Sequence, residues 1–159
     1  MFRAGHERFA RSPLAGTGVG RGDPARPPLE EVGPWAEAAD AAGVETVLLA
    51  APTAPDERLP RICARARGFV YGVGLLGVTG ARAALADSAL VIAERLKAVT
   101  DKPVLVGVGI STPEQAARVC TVADGVVVGS ALVHRLLEGA SPEEAAALVG
   151  GFREALDAG

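Results

Sequence analysis

Four short apolar runs, each followed by a segment with helical character, constrain the fold of this chain more than any other feature. The runs cover residues 44–50, 69–74, 103–109 and 125–133. They lack the apolar–polar alternation of a strand with one wet face, so each is expected to be a strand buried on both faces. Such strands, joined by helices, form a parallel sheet covered by helices. The sequence therefore predicts an α/β fold, and periodicity alone leaves open an open doubly wound sheet or part of a barrel.

The predicted helices are bounded by residues typical of helix ends. They cover residues 28–43, 55–68, 87–100, 112–123 and 141–156. Gly43 is a typical C-terminal stop, and Pro60 predicts an uneven start to the second helix because it lacks a backbone donor. Asp87 or Ser88 is expected to cap the third helix.

Length and charge exclude several classes of function. A chain of 159 residues can form one domain with a substantial core, but it is too short for eight strand–helix units. A net charge of −3 with dispersed basic residues predicts no nucleic-acid partner. No apolar run approaches the roughly 20 residues that span a bilayer, so we expect no membrane association and a cytoplasmic location. Cys63 and Cys120 are expected to be reduced core residues rather than metal ligands.

The first 28 residues differ from the rest in composition. They contain nine Gly or Pro residues and five arginines against two acidic residues, with no strand or helix period. We expect residues 1–28 to form a poorly ordered arm and residues 29–159 to form the domain. The stretch "GTGVGRG" (16–22) has the look of a phosphate loop, but no strand precedes it, so a flexible linker is the better interpretation.

Two consecutive strands end on glycine and lead directly into a helix. In "VLVGVGISTPEQAA" (104–117), Gly109 allows close approach to a ligand, and Ser111 or Thr112 is expected to cap the next helix. In "VVVGSALV" (126–133), Gly129 and Ser130 offer a backbone N–H group and a hydroxyl. Neighbouring tips of this kind form the phosphate site after the last two strands of a (β/α)₈ barrel. A dinucleotide-binding loop fits less well, because the position for a third glycine is occupied by threonine.

The loop after the second strand is a candidate cover for such a site. In "YGVGLLGVTGARA" (71–83), Gly77 and Gly80 give hinge freedom and Thr79 offers a hydroxyl. Tyr71 lies inside an apolar strand, where it is either a core tyrosine or a ligand contact. An ordinary surface connection remains the alternative for this loop.

The linked motifs resemble the C-terminal half of the tryptophan synthase alpha subunit. The resemblance rests on "APTAPDERLPRICARARGFVYGVGLLGVTGAR", "VLVGVGISTPEQAARV" and "ADGVVVGSALV", and it covers roughly residues 23–157. It implies a partial TIM barrel of about four strands, from a family that cleaves indole-3-glycerol phosphate and passes indole to a pyridoxal-phosphate beta subunit. Carried over by motif, the resemblance assigns the substrate phosphate to Gly80, Gly109, Gly129 and Ser130. It assigns the lining of the active site and the indole contacts to Tyr71, Thr79, Val108 and Val127.

The chain also departs from the family pattern. The acid–base glutamate and aspartate of the family belong to its N-terminal half, which we expect to be missing here through evolution, a misread start or a frameshift. The stretch "RSPLAG" (11–16) only faintly echoes the aspartate motif, with Gly16 in its place. Gly74 and Leu76 stand where the family commonly has small hydroxyl residues. His134 is expected to be a helix-surface residue. No catalytic residue, cofactor or metal is assigned to this chain.

Three functions remain open from the sequence. The first is a truncated alpha-subunit-like lyase that is weakly active or inactive alone. The second is a non-catalytic partner that docks on a beta subunit or on a second copy of itself, because four parallel strands leave two edges unpaired. The third is a fragment of another barrel that binds a phosphorylated sugar.

Overall fold

The computed structural model describes residues 32–74 and 82–158, with the backbone alone described for residues 82–86. The expected arm, the stretch "GTGVGRG", and the centre of the loop after the second strand lie outside the described residues. The described elements are, in chain order, α1 (Val32–Ala41), β1 (Leu48–Ala50), a 3₁₀ turn (Asp56–Arg58), α2 (Leu59–Arg65), β2 (Val70–Val73), α3 (Arg82–Lys97), β3 (Val104–Gly107), α4 (Pro113–Val119), β4 (Gly125–Val127), α5 (Ser130–Leu137) and α6 (Pro142–Asp157).

The four strands form one parallel sheet in the order β1-β2-β3-β4. One row across the sheet shows the register, with Ala50 opposite Gly72, Gly72 opposite Val106, and Val106 opposite Val126. Each strand therefore pairs with its neighbour in sequence. A helix connects each pair of consecutive strands: α2 between β1 and β2, α3 between β2 and β3, and α4 between β3 and β4. The predicted α/β fold with four parallel strands is confirmed.

Helices cover one face of this sheet, which we call the outer face. Val70, Val104, Val106 and Val126 point to this side and are fully buried in the larger apolar cluster. A β-carbon at Gly72 would lie 3.3 Å from Leu96 and 3.5 Å from Ile92, so α3 packs closely on β2 because this position has no side chain. Each fully buried aliphatic side chain stabilises the fold by about 1.5–3 kcal/mol.

The opposite face, the inner face, carries a smaller apolar cluster. Its buried members are Phe69, Tyr71, Val73 and Leu105, with Val47, Leu49, Val108 and Val127 packed against them. These residues alternate along the strands with those of the outer face, as the two-residue period of a strand requires. Both faces of the sheet are therefore apolar, which explains why the strand sequences show no polar alternation.

Several predicted boundaries were wrong. The first strand was predicted from residue 44, but β1 begins at Leu48, and the fourth helix was predicted to residue 123, but α4 ends at Val119. The fourth strand was predicted over 125–133, with a short helix directly after the Gly129-Ser130 tip. The helix is present as α5, which begins at Ser130, but β4 is shorter than predicted and ends at Val127. The third helix was predicted from residue 87, but α3 begins at Arg82, so Asp87 and Ser88 lie inside it and do not cap it. The Asp87 carboxylate instead forms an ion pair with Arg118 of α4.

Several predicted helix ends agree with the structure. Gly43 has φ +70°, and the N–H group of Val44 donates to the Ala39 carbonyl at 2.9 Å, which closes the C-terminus of α1. The predicted uneven start at Pro60 is a 3₁₀ turn that leads into α2. Ser141 caps α6 in a capping box with Glu144.

Polar side chains tie the elements together at the amino end of the sheet. The Asp124 carboxylate accepts from the Val104 N–H group at 2.8 Å and from the Lys97 ammonium at 3.0 Å. The Lys102 ammonium donates to the carbonyls of Cys63 and Ala66, both at 2.6 Å, at the C-terminus of α2. Burial raises the pKa of the Cys63 thiol, and the nearby Lys102 charge opposes that shift. Both cysteines are buried thiols outside any disulfide, as predicted.

Candidate functional site

The two glycine-bearing tips lie side by side at the carboxyl end of the sheet. Gly107 of β3 is opposite Val127 of β4, and the chain continues from these paired residues to Gly109 and to Gly129. The carboxyl ends of parallel strands in barrels are where ligands bind. The sheet order therefore gives the two tips the adjacency that a shared anion site needs.

The tip of β3 has a strained backbone. Val108 has φ +65° and Gly109 has φ +95°. The left-handed conformation suits glycine, but for a β-branched residue such as valine it is an outlier that costs about 1–3 kcal/mol. Strain of this kind persists where the surrounding structure enforces it, and it is enriched at binding sites.

The helix that follows this tip is capped from within. The side chain of Gln115 accepts from the N–H groups of Ser111 at 2.9 Å and of Thr112 at 3.2 Å, and the Thr112 hydroxyl accepts from the Gln115 N–H group. The structure therefore selects Thr112 as the cap. The N–H groups of Ser111, Thr112 and Gln115 are therefore occupied. The Gly109 N–H group is a candidate donor to a ligand, because it donates no hydrogen bond to any described residue.

The helix that follows β4 has a different start. Gly129 is the N-cap of α5 and makes no side-chain capping bond. Gly129 and Ser130 are both exposed, and a β-carbon at Gly129 would meet nothing within 4 Å. A helix start without a side-chain cap presents N–H groups that suit an anion.

The Tyr71 phenol lies over Gly107 on the inner face. A β-carbon at Gly107 would come within 2.0 Å of the Tyr71 hydroxyl oxygen and 3.0 Å of the Val127 β-carbon. Only glycine at this position leaves room for the ring. Tyr71, Val108 and Val127 belong to the same apolar cluster, so three of the four residues assigned to the active-site lining are brought together.

Two further glycines matter for the site in ways that the sequence did not reveal. The sequence assigned no separate role to Gly107, and it identified Gly74 only as a departure from the family pattern. A β-carbon at Gly74 would lie 2.5 Å from the Val108 carbonyl oxygen, so the tip of β2 approaches the backbone of β3 directly. A glycine at the end of a strand of β-branched residues was the available signal. Gly80 and Thr79 lie outside the described residues.

The residues that follow the strand tips include few charges. After β1 the first acidic residue is Asp56, whose carboxylate accepts from the Arg95 guanidinium at 2.7 and 2.9 Å. The same guanidinium donates to the carbonyls of Pro52 and Ala54, so it holds the loop after β1. His134 is on the surface of α5 and lies 3.4 Å from Glu138, in agreement with the expectation.

Within residues 32–74 and 82–158, no group of three or more His, Cys, Asp or Glu side chains has the arrangement of a metal site. None of the helices in that part of the chain is both long and apolar enough to span a membrane.

Sequence comparison assigns almost the whole chain to one family. The family profile "Tryptophan synthase alpha chain" matches residues 4–154, a match that starts earlier than the resemblance over residues 23–157. The tryptophan synthase alpha chain of Thermobifida fusca is 43% identical over 158 residues, which cover 98% of this chain and 58% of the relative. That of Gloeobacter violaceus is 52% identical over 118 residues, or 74% of this chain and 42% of the relative. The chain thus spans about half the length of the curated relatives it matches.

Solved structures agree with the sequence matches. A tryptophan synthase structure from Mycobacterium tuberculosis superposes with a TM-score of 0.71 at 38% identity and covers 82% of this chain and 49% of the solved chain. The alpha subunit from Legionella pneumophila gives a TM-score of 0.64 at 32% identity, with the same coverage. The four-stranded sheet therefore corresponds to part of a TIM barrel. The chain belongs to the tryptophan synthase alpha chain family.

Proposed function

We propose that this chain supplies the phosphate-binding half of an alpha-chain barrel that acts on indole-3-glycerol phosphate in tryptophan biosynthesis. The observation that carries the proposal is the juxtaposition of the β3 and β4 tips within a chain of this family. Each tip offers an N–H group at a glycine, and Ser130 adds a hydroxyl. Donors of this kind, near the start of a helix, bind phosphate with little need for a charged side chain.

The proposed roles divide between the tips and the inner face. Gly109, Gly129 and Ser130, with Gly80, would hold the phosphate group. The apolar cluster on the inner face would contact the indole ring through Val108 and Val127, while Tyr71 and Thr79 would line or cover the site. A pocket that is mostly apolar, with a few polar groups at one end, suits a ligand with an aromatic ring and a phosphate.

Cleavage of the ligand needs proton transfer in addition to binding. The reaction breaks the bond between C3 of indole and the glycerol chain, so one group must protonate C3 and another must take the proton of a glycerol hydroxyl. Each positioned acid or base contributes about 10²–10⁴-fold in rate. The five residues that follow each of the four strands contain no carboxylate in the sequence. The first acidic residue after β1 is Asp56, which Arg95 already binds. We therefore propose that this chain binds the phosphorylated ligand but has little or no lyase activity alone.

Binding can be tested with a charge placed at the tip of β4. Gly129→Asp adds a carboxylate where a side chain has free space, so the fold is expected to be kept. The same carboxylate repels a phosphate group. Calorimetric titration with indolepropanol phosphate, a non-cleavable analogue, is expected to show binding to the unchanged chain and none to the variant.

Gly33→Asp is the matched control, because that glycine also has free space and lies in α1. Equal binding by Gly129→Asp and the unchanged chain would contradict the phosphate site. Tighter binding of glycerol phosphate than of indolepropanol phosphate would contradict the proposed contact with an indole ring and favour a phosphorylated sugar as the ligand. Full rescue of a tryptophan auxotroph without an alpha subunit would contradict the proposed lack of acid–base groups.

A second candidate function rests on the surface of α5. Val133, Leu136 and Leu137 are exposed there, and Leu137 is 81% exposed. An apolar surface of this kind is typical of a contact with another chain, so the alternative is a non-catalytic partner that docks on a beta subunit or on itself. For either candidate function, we propose a cytoplasmic location and no nucleic-acid partner.

A further inference from the structure

Large apolar side chains are exposed together on the two helices that follow β4. Seven such side chains are exposed among the described residues, and four of them belong to α5 and α6. They are Val133, Leu136, Leu137 and Val149, with exposed fractions between 41 and 81%. We call these four residues the closing surface. Apolar side chains that are concentrated in this way are typical of a contact with another chain.

The closing surface is built by both helices. On α5 its three residues occupy positions i, i+3 and i+4, so they share one face of the helix. On α6, Val149 lines the apolar cavity to which Leu132 of α5 and Phe152 of α6 also contribute. Because α5 packs on α6 around this cavity, the two helices contribute to one apolar surface.

The closing surface lies on the flank of α6 that is turned away from α4. A β-carbon at Gly151 would lie 3.9 Å from the Pro113 side chain at the start of α4, so Gly151 is on the flank that faces α4. Val149 lies two residues earlier, about 200° around the helix axis from Gly151. The flank with Val149 therefore faces the side on which a ring of helices would continue beyond α6.

The last strand of the sheet is open on this same side. β4 pairs with β3, and none of the described strands pairs with its other edge. In a closed barrel every strand pairs on both sides, and the helices form a ring around the strands. This chain spans about half of the length of the relatives it matches. The neighbours that β4 and α6 would have in such a barrel therefore belong to the part that this chain does not contain.

We infer that the closing surface docks a polypeptide that carries the N-terminal half of an alpha-chain barrel, with a strand of that half paired to the open edge of β4. This inference rests on the proposed function, because it takes the chain to be the phosphate-binding half of the barrel. A second copy of this chain would bring the same strand tips, without a carboxylate directly after any strand. The N-terminal half brings the acid–base pair that the family resemblance implies, so lyase activity would depend on this partner.

The inference is tested by co-expression of the full 159-residue chain with a tagged partner polypeptide. The partner is the N-terminal part of the Thermobifida fusca or Gloeobacter violaceus alpha chain, up to the residue at which its match with this chain begins. The part chosen is one that forms a complex with the remainder of its own protein, so the partner is competent to assemble. Light scattering of the purified material is expected to show one copy of each chain.

The double variant Val133→Lys/Leu137→Lys tests whether the closing surface makes the contact. Two ammonium groups would be buried without partners in the complex, so the affinity for the N-terminal part is expected to fall by at least about ten-fold. Circular dichroism of the isolated variant is expected to show an unchanged fold, because both side chains are exposed. Val91→Lys is the control, since Val91 is also exposed but lies on α3, and it is expected to bind like the unchanged chain.

Three results would overturn the inference. They are the absence of a complex with a competent partner, equal binding by the double variant and the unchanged chain, and a product that contains only copies of this chain. Because complex formation is measured without ligand and the phosphate titration without partner, the two proposals fail separately. If the complex forms but this chain does not bind indolepropanol phosphate, the proposed function falls and the docking stands. Release of indole from indole-3-glycerol phosphate by the complex, and not by this chain alone, would support both proposals.

Discussion

Two glycines at the strand tips, Gly74 and Gly107, lie where neighbouring atoms leave no space for a side chain. At Gly107 the space is filled by the Tyr71 phenol, and at Gly74 by the Val108 carbonyl. A glycine in a strand lowers stability because it loses more backbone freedom on folding than other residues. Both glycines therefore identify places where the tips of neighbouring strands must approach closely.

Thr46 is a buried polar residue to which the candidate site gives no role. It is 1% exposed, and its hydroxyl has no hydrogen-bond partner among the described residues. A buried hydroxyl without a partner carries an uncompensated desolvation cost. Thr46→Val keeps the shape of the side chain and removes the hydroxyl, so we expect the free energy of unfolding to rise by about 1 kcal/mol.

Urea unfolding monitored by circular dichroism measures this change. Thr121→Val is the matched control, because the Thr121 hydroxyl is exposed and donates to the Arg118 carbonyl at 2.8 Å. That variant is expected to gain no stability. A loss of stability in Thr46→Val would show that the hydroxyl has a partner in the folded protein.

At the scale of single elements, local chemistry decided which boundaries could be predicted. The start of α4 was predictable because threonine, proline and glutamine follow one another in the order that a capping box requires. The start of α3 was not, since Asp87 and Ser88 resemble a cap but lie in the middle of a helix that is stabilised by contact with β2 and β3. Tertiary packing outweighed a local signal there.

The C-terminus of α2 depends on a residue that lies far away in sequence. Lys102, just before β3, donates to the carbonyls of Cys63 and Ala66, which have no further turn of helix to bind. Lys102→Met keeps much of the apolar length and removes these bonds. We expect the free energy of unfolding to fall by about 1–2 kcal/mol, because charge-assisted bonds to partly buried carbonyls are lost.

Lys97→Met provides the comparison for this prediction. Lys97 pairs with Asp124 in a partly exposed ion pair, so its loss is expected to cost less, about 0.5 kcal/mol. Thermal unfolding of both variants gives the two values. An unchanged free energy of unfolding in Lys102→Met would show that the C-terminus of α2 does not depend on Lys102.

For the whole molecule, the sequence predicted the layers of the fold better than the details of the site. Strands without polar alternation implied a sheet that is apolar on both faces, and both clusters are present. The adjacency of the glycine-bearing tips followed from consecutive parallel strands. The left-handed backbone of Val108 and its close approach to Gly74 could not be predicted, because no local pattern records them.

The described strands at both ends of the sheet pair on one side only, and α5 lies beside the last of them in sequence. Val133 and Leu137 on that helix are 53% and 81% exposed. Next to it, Val128, Leu132, Leu148, Val149 and Phe152 line an apolar cavity of about 170 Å³. Exposed apolar surface promotes association, so we expect the isolated chain to self-associate at micromolar concentrations.

Light scattering of the purified chain and of Val133→Lys/Leu137→Lys tests whether α5 mediates this association. Both side chains point into solvent, so lysine is expected to leave the unfolding temperature nearly unchanged while the apparent mass decreases. Val91→Lys is the control: Val91 is 50% exposed but lies on α3, and its replacement is expected to leave the apparent mass unchanged. A monodisperse monomer before any substitution would contradict self-association. An unchanged mass distribution in the double variant would place the contact elsewhere, with the unpaired strand edges as the next surface to block.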